Sequence, residues 1–69
     1  MVDTQLLEEQ IELSGKMKGY LAKKCGCSIQ ALRLKMNNKY DFTNTQTDIL
    51  CSELGITDLT LKEKIFFKK

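Results

Sequence analysis

Residues 17–37 constrain the fold more tightly than any other stretch of the chain. Met17, Leu21, Ala22 and Cys25 recur at i, i+4, i+5 and i+8, which makes one apolar stripe of a 3.6-residue period. Gly26 follows just past the end of that stripe, at a position where glycine readily takes a positive φ. Ser28 then stands where its hydroxyl can accept from a free N–H in a new first turn. A helix is expected from Ile29 through Gln30, Ala31, Leu32, Arg33, Leu34, Lys35 and Met36. Asn37-Asn38 closes it, because asparagine tolerates left-handed backbone. Two short helices joined at Gly26-Cys27 must pack on each other. Ala22 is small enough for a close crossing, Leu32 reaches back into the core, and Leu21, Cys25 and Cys27 fill the space between.

The flanking segments are punctuated in the same way. Asp3 or Thr4 caps a first helix carrying Leu6, Leu7 and Ile11, with Leu13 as a further candidate for its apolar face, and Gly15 stops it. Lys39-Tyr40-Asp41-Phe42 reads as a loop whose two rings are expected to pack back on the domain. Thr43-Asn44-Thr45-Gln46 is a capping box, followed by Ile49, Leu50 and Leu54 and a stop at Gly55. Thr60-Leu61-Lys62-Glu63 suggests a second capping box, opening a last helix with Leu61, Ile65 and Phe66 on its apolar face. No internal repeat and no strand-like alternation is present. The spacing predicts an all-α protein: a compact bundle of about five short helices around a central helix-turn-helix, with residues 1–69 as a single domain.

Composition narrows what such a bundle can do. At 69 residues the chain is near the lower limit for folding without staples. With no proline and four glycines, nothing in it reads as a linker. The five aromatic residues, Tyr20, Tyr40, Phe42, Phe66 and Phe67, are too few to line a large ligand pocket. No apolar run approaches the roughly 18–20 residues needed to cross a bilayer. Met1-Val2-Asp3-Thr4 lacks the features of a signal peptide, so a cytoplasmic protein with no membrane partner is expected. An odd number of cysteines (Cys25, Cys27 and Cys51) argues against a disulfide framework. With no histidine present, a zinc site would need a carboxylate or an outside ligand. The simpler reading is free, buried thiols, and no cofactor or metal is expected. An enzyme is not expected either. There is no histidine base, no glycine-rich phosphate loop and no carboxylate pair in an apolar setting.

Charge is distributed in blocks although the net value is only +2. Residues 1–12 hold four acids (Asp3, Glu8, Glu9, Glu12) and no base. Residues 13–40 hold seven bases (Lys16, Lys18, Lys23, Lys24, Arg33, Lys35, Lys39) and no acid. A block of one sign repels itself unless it faces water or a polyanion. Solvated faces usually mix both signs.

Leu21-Ala22, Gly26, Ser28, Leu32 and Asn37-Asn38-Lys39 together resemble the lambda-repressor-like helix-turn-helix family of the Cro/CI or XRE type. The resemblance extends over most of the chain, because a capped fourth helix and a short fifth helix ending in Phe66-Phe67 look like small phage Cro-type regulators. The chain departs from the family at two places. Lys35 stands where the family usually has an aliphatic residue three positions after the Leu32 equivalent, with Met36 as the neighbouring apolar residue. One residue is about 100° around a helix, so the third helix is open to a roll. Lys16 also replaces a frequent aliphatic, and Met17 is the candidate substitute.

The resemblance implies a sequence-specific double-stranded DNA-binding transcriptional regulator, of phage or prophage repressor type, whose third helix enters the major groove. Lys18 at the start of the second helix is implied as a phosphate contact. Ser28, Gln30, Ala31, Arg33 and Leu34 form the start and middle of the reading helix. Gln30 suits adenine and Arg33 suits guanine, both bidentate, and Ile29 or Ala31 suits a thymine methyl. Lys35, Asn38 and Lys39 are implied to hold phosphates and so set register. Leu34 belongs either to the DNA face or, after a roll, to the core. Tyr20 is either a backbone contact or a packing residue.

A homodimer is the natural companion, since one such domain covers a half-site. Phe66 and Phe67 either pair two copies or close the core. The competing class is a protein-binding modulator or antitoxin of the same fold that acts on another regulator, with the acidic first helix (Glu8, Glu9, Glu12) facing a basic partner.

Overall fold

The structure is a computed structural model that describes residues 1–68. Five helices follow one another: α1 Thr4–Ser14, α2 Lys18–Lys24, α3 Ile29–Met36, α4 Asn44–Leu54 and α5 Leu59–Phe66. There is no strand among the described residues, and the protein is a small all-α bundle. One apolar cluster joins all five. Leu7 and Ile11 of α1 meet Leu21 and Ala22 of α2, Leu32 and Met36 of α3, Leu50 and Cys51 of α4, and Ile65 and Phe66 of α5. Helices α2 and α3 share the largest interhelical contact.

Local chemistry sets the helix starts. Asp3 caps α1, its carboxylate accepting from the Leu6 N–H at 3.1 Å. Ser28 caps α3, its hydroxyl accepting from the Ala31 N–H at 3.0 Å. Thr43 and Gln46 form the expected reciprocal capping box on α4. The second expected box does not form. Asp58 is the cap of α5, and Thr60 lies inside the helix with its N–H donating to the Asp58 carboxylate. Aspartate caps as well as threonine does, and Leu61 and Ile65, four residues apart in the resulting helix, share its core side.

Three helix ends share one device. The amide of Cys27 donates to Ala22, that of Lys39 to Leu34, and that of Ile56 to Cys51. Each six-residue closure passes through one left-handed residue: Gly26, Asn38 and Gly55 respectively. Asn38, at φ 64°, is the only non-glycine with positive φ among the described residues. Its amide explains the choice. The Val2 N–H donates to Asn38 Oδ1 at 2.7 Å, and Asn38 Nδ2 donates to the Val2 carbonyl at 2.9 Å. Glycine would allow the turn but could not hold Val2. The N-terminal segment is thereby inserted between α3 and α5, with the Asp3 N–H donating to Ile65 at 2.7 Å and the Lys68 N–H to Met1 at 2.9 Å. Val2 is buried as a result.

Some apolar residues lie outside the core where the stripe predicts them inside. Leu13 is 80% exposed and Met17 77%. Leu13 lies about 180° around α1 from its first residue, whereas Leu7 and Ile11 lie near 300–340°. Met17 is the extended residue before α2, so it does not fill the place of Lys16. Lys16 instead folds onto α4, where its Nζ lies 3.0 Å from Glu53 Oε1 and donates to the Glu53 carbonyl at 2.7 Å. Of the two loop rings, Phe42 packs edge-on against Phe66 with centroids 5.8 Å apart, while Tyr40 faces solvent.

Candidate nucleic-acid interface

Helix α3 divides cleanly around its axis. Leu32 and Met36 are buried, Ala31 and Lys35 are half-buried at one margin, and Gln30, Arg33, Leu34 and Asn37 occupy the exposed arc. Leu34 is 41% exposed, which assigns it to the outer face rather than to the core. The departure at Lys35 and Met36 has a steric resolution. Met36, one turn beyond Leu32, supplies the second core contact, and Lys35 is set at the edge. Ile29 and Ser28 are both exposed at the start of the helix. Ser28 has its oxygen engaged as the cap, while its O–H is free to donate.

The basic residues of the 13–40 block fall into two groups. Three have partners within the protein. Lys16 is held by Glu53 and Lys18 lies 2.8 Å from Glu8. Lys35 donates to Gln46 Oε1 at 2.8 Å and to the Asp41 carbonyl at 3.3 Å. Lys23, Lys24, Arg33 and Lys39 are exposed and take part in none of the ion pairs among the described residues. Asn38, with its amide committed to Val2, belongs with the first group. Of the residues implied as phosphate contacts, Lys39 therefore presents an uncommitted head, while Lys18, Lys35 and Asn38 have internal partners. Lys23 and Lys24 were not singled out from sequence. The available signal was their place as an adjacent basic pair in the last turn of α2, beside the turn into α3.

Gln46 ties this region together. Its Oε1 accepts from the Thr43 N–H at 3.2 Å and from Lys35, and its Nε2 donates to the Cys25 carbonyl at 3.2 Å. One side chain thus links the end of α2, the last turn of α3 and the cap of α4, which ties the presentation of α3 to its neighbours. Tyr20 is anchored at the other end of α2. Its hydroxyl donates to Glu53 Oε1 at 2.8 Å, and the ammonium groups of Lys16 and Lys24 lie 5.7 and 5.5 Å from its ring centre. Its hydroxyl proton is therefore committed to Glu53, whose carboxyl is held below its ordinary range first by the Lys16 hydrogen bond and then by that of Tyr20.

The thiols play no visible part in this face. Burial pushes Cys25 and Cys51 above the ordinary thiol range, and Cys27 is half-buried in the turn. At the far end of the chain the two rings separate. Phe66 is 5% exposed and fills the core, whereas Phe67 is 54% exposed. Only Phe67 of that pair presents a surface.

No family model, curated protein or solved structure matches the chain. Among the described residues, no helix is long and apolar enough to cross a membrane.

Proposed function

We propose that the chain is a sequence-specific double-stranded DNA-binding transcriptional regulator of the Cro/CI type, of phage or prophage origin, acting in the cytoplasm of a bacterial or phage-infected cell. The observation that carries this reading is the exposed arc of α3. Gln30, Arg33, Leu34 and Asn37 project from a helix held rigidly by Leu32, Met36 and Gln46, and no acid occurs from residue 13 to residue 40. An α-helix fits the major groove, where Arg33 matches the two acceptors of guanine and Gln30 the donor–acceptor pair of adenine. Ile29 or Ala31 would meet a thymine methyl. Lys23, Lys24 and Lys39 flank that arc in sequence and are held in no ion pair among the described residues, with Lys24 resting over the Tyr20 ring, and all three suit phosphates on either side of the groove.

Two copies on adjacent half-sites, about 34 Å apart, would give the affinity that one half-site lacks. Phe67 is the aromatic residue available for such pairing. The test is fluorescence anisotropy with a pool of random duplexes at two salt concentrations. Binding should weaken with a log–log slope of roughly one per phosphate contact, and Arg33→Ala should bind more weakly than wild type. An absence of binding at low salt by protein that is folded by circular dichroism refutes the reading.

A further inference from the structure

A pocket of about 320 Å³ opens between the loop before α4, the first turns of α4 and the end of α5. Phe42, Phe66 and Phe67 form its apolar wall, and Asp41, Asn44 and Thr47 its polar one. That volume is at the small end for a ligand site. Thr47 is the unusual member. It is the only buried polar residue among the described residues, at 5% exposure, where valine would give the same shape without a polar atom. Its hydroxyl makes no hydrogen bond within the described residues, yet no polar atom there is sealed from solvent without a partner. The hydroxyl therefore opens into the pocket, and its partner must come from outside the chain. Asn44 stands three residues before Thr47 on the same side of α4, and Asp41 lies just ahead of the cap Thr43. Asp41 takes part in none of the ion pairs among the described residues.

We propose that this pocket binds a small organic molecule with a protonated amine on a short apolar body. Asp41 is the only charged side chain that lines it, so a cation is attracted there and an anion repelled. The three rings receive the apolar body, and ring faces also favour a cation over an anion. Asn44 and Thr47 supply oxygens for the N–H groups that Asp41 leaves over. The positive groups nearby are directed elsewhere. Lys35 is held by Gln46 and the Asp41 carbonyl, Lys68 lies 3.8 Å from Asp3, and neither lines the pocket. Met1 is exposed at the rim, and its amino group makes no ion pair with Asp41. The N–H groups that let a helix start attract anions are, at α4, partly engaged by the Thr43 capping box. The inference is independent of DNA binding, since it uses no residue of α2 or α3.

The test titrates isotope-labelled full-length protein with pentylamine, and with pentanol and pentanoate as neutral and anionic matches, at fixed pH and ionic strength. Pentylamine should give saturable shifts at the amides of Asp41, Phe42, Asn44 and Thr47, and the other two compounds should bind more weakly by about tenfold. Asp41→Asn, in an exposed loop, should weaken pentylamine by about tenfold, as the loss of a charge-assisted hydrogen bond does. Thr47→Val should weaken it by about fivefold without lowering the stability of the free protein, because the hydroxyl it removes has no partner in the fold. Saturation by pentanoate instead, equal binding of all three compounds, shifts gathered elsewhere, or undiminished binding by Asp41→Asn overturns the proposal. So does a Thr47→Val protein destabilised as if a buried hydrogen bond had been broken, which would place the partner of that hydroxyl inside the fold. Amine binding without duplex binding would sink the proposed function and leave this inference standing, and the reverse result would do the opposite.

Discussion

Replacing Asn38 separates two roles that the structure combines in one residue. Asn38→Ala removes both hydrogen bonds to the Val2 backbone, each worth about 1 kcal/mol net. It also puts a residue with an ordinary Cβ at φ 64°, which costs about 1 kcal/mol more. The expected loss is about 3 kcal/mol. Asn38→Gly loses the same two hydrogen bonds but is at ease in left-handed backbone, so its loss should be about 2 kcal/mol. For a chain of this size each kcal/mol lowers the melting temperature by roughly 4–8 °C. Urea denaturation followed by far-UV circular dichroism measures both variants. In the glycine variant, amide exchange at Val2 and Asp3 should accelerate before that of the helices. Two results would refute this reasoning: a glycine variant as unstable as the alanine variant, or two variants within about 0.5 kcal/mol of wild type.

Other consequences are equally open to measurement. Because the folded state holds the Glu53 carboxyl below its ordinary range, its pairing stabilises the fold above that range and is lost as pH falls through the folded value. Glu53→Gln should therefore be less stable than wild type at neutral pH, with the gap closing under acid, and a gap constant across that window contradicts the assignment. Thr43→Ala removes the hydroxyl arm of the α4 capping box and should cost about 1 kcal/mol in chemical denaturation, whereas Thr60→Ala, inside α5, should cost less. Iodoacetamide should label half-buried Cys27 first, while Cys25 and Cys51, buried and with raised thiol values, should react only as the protein opens. Equal labelling of all three by mass spectrometry would count against the packing described. Leu34→Ala should leave stability nearly unchanged, because Leu34 lies outside the core, and a loss like that of a buried leucine would restore the rolled alternative.

The helices were legible where the sequence carries local physics. The stripe of Leu21, Ala22 and Cys25, the turn at Gly26, the cap at Ser28 and the box at Thr43 depend only on residues within one or two turns, and they stand as read. Competing local signals were harder. Asp58 and Thr60 both suit a cap, and because either start leaves Leu61 and Ile65 on one face, the apolar period does not choose between them. Leu13 and Met17 match an apolar pattern, yet the phase set by Leu7 and Ile11 leaves Leu13 outside and the loop geometry leaves Met17 outside. The candidate face was legible as a one-sign block and a helix. Which of its cations are free was not, because the partners of Lys16, Lys18 and Lys35 lie far along the chain, at Glu53, Glu8 and Gln46. The clasp between Val2 and Asn38 spans 36 residues and has no local signature at all.

The central claim is that the outer arc of α3 reads base edges. The most direct measurement is selection from a randomised duplex pool by wild-type protein and by Arg33→Ala. Wild type should enrich a defined sequence. Arg33→Ala should lose the preference at one G·C pair, by about 1–3 kcal/mol, while keeping the rest of the motif. An enriched motif unchanged by Arg33→Ala, or no enrichment by folded wild-type protein, would contradict it.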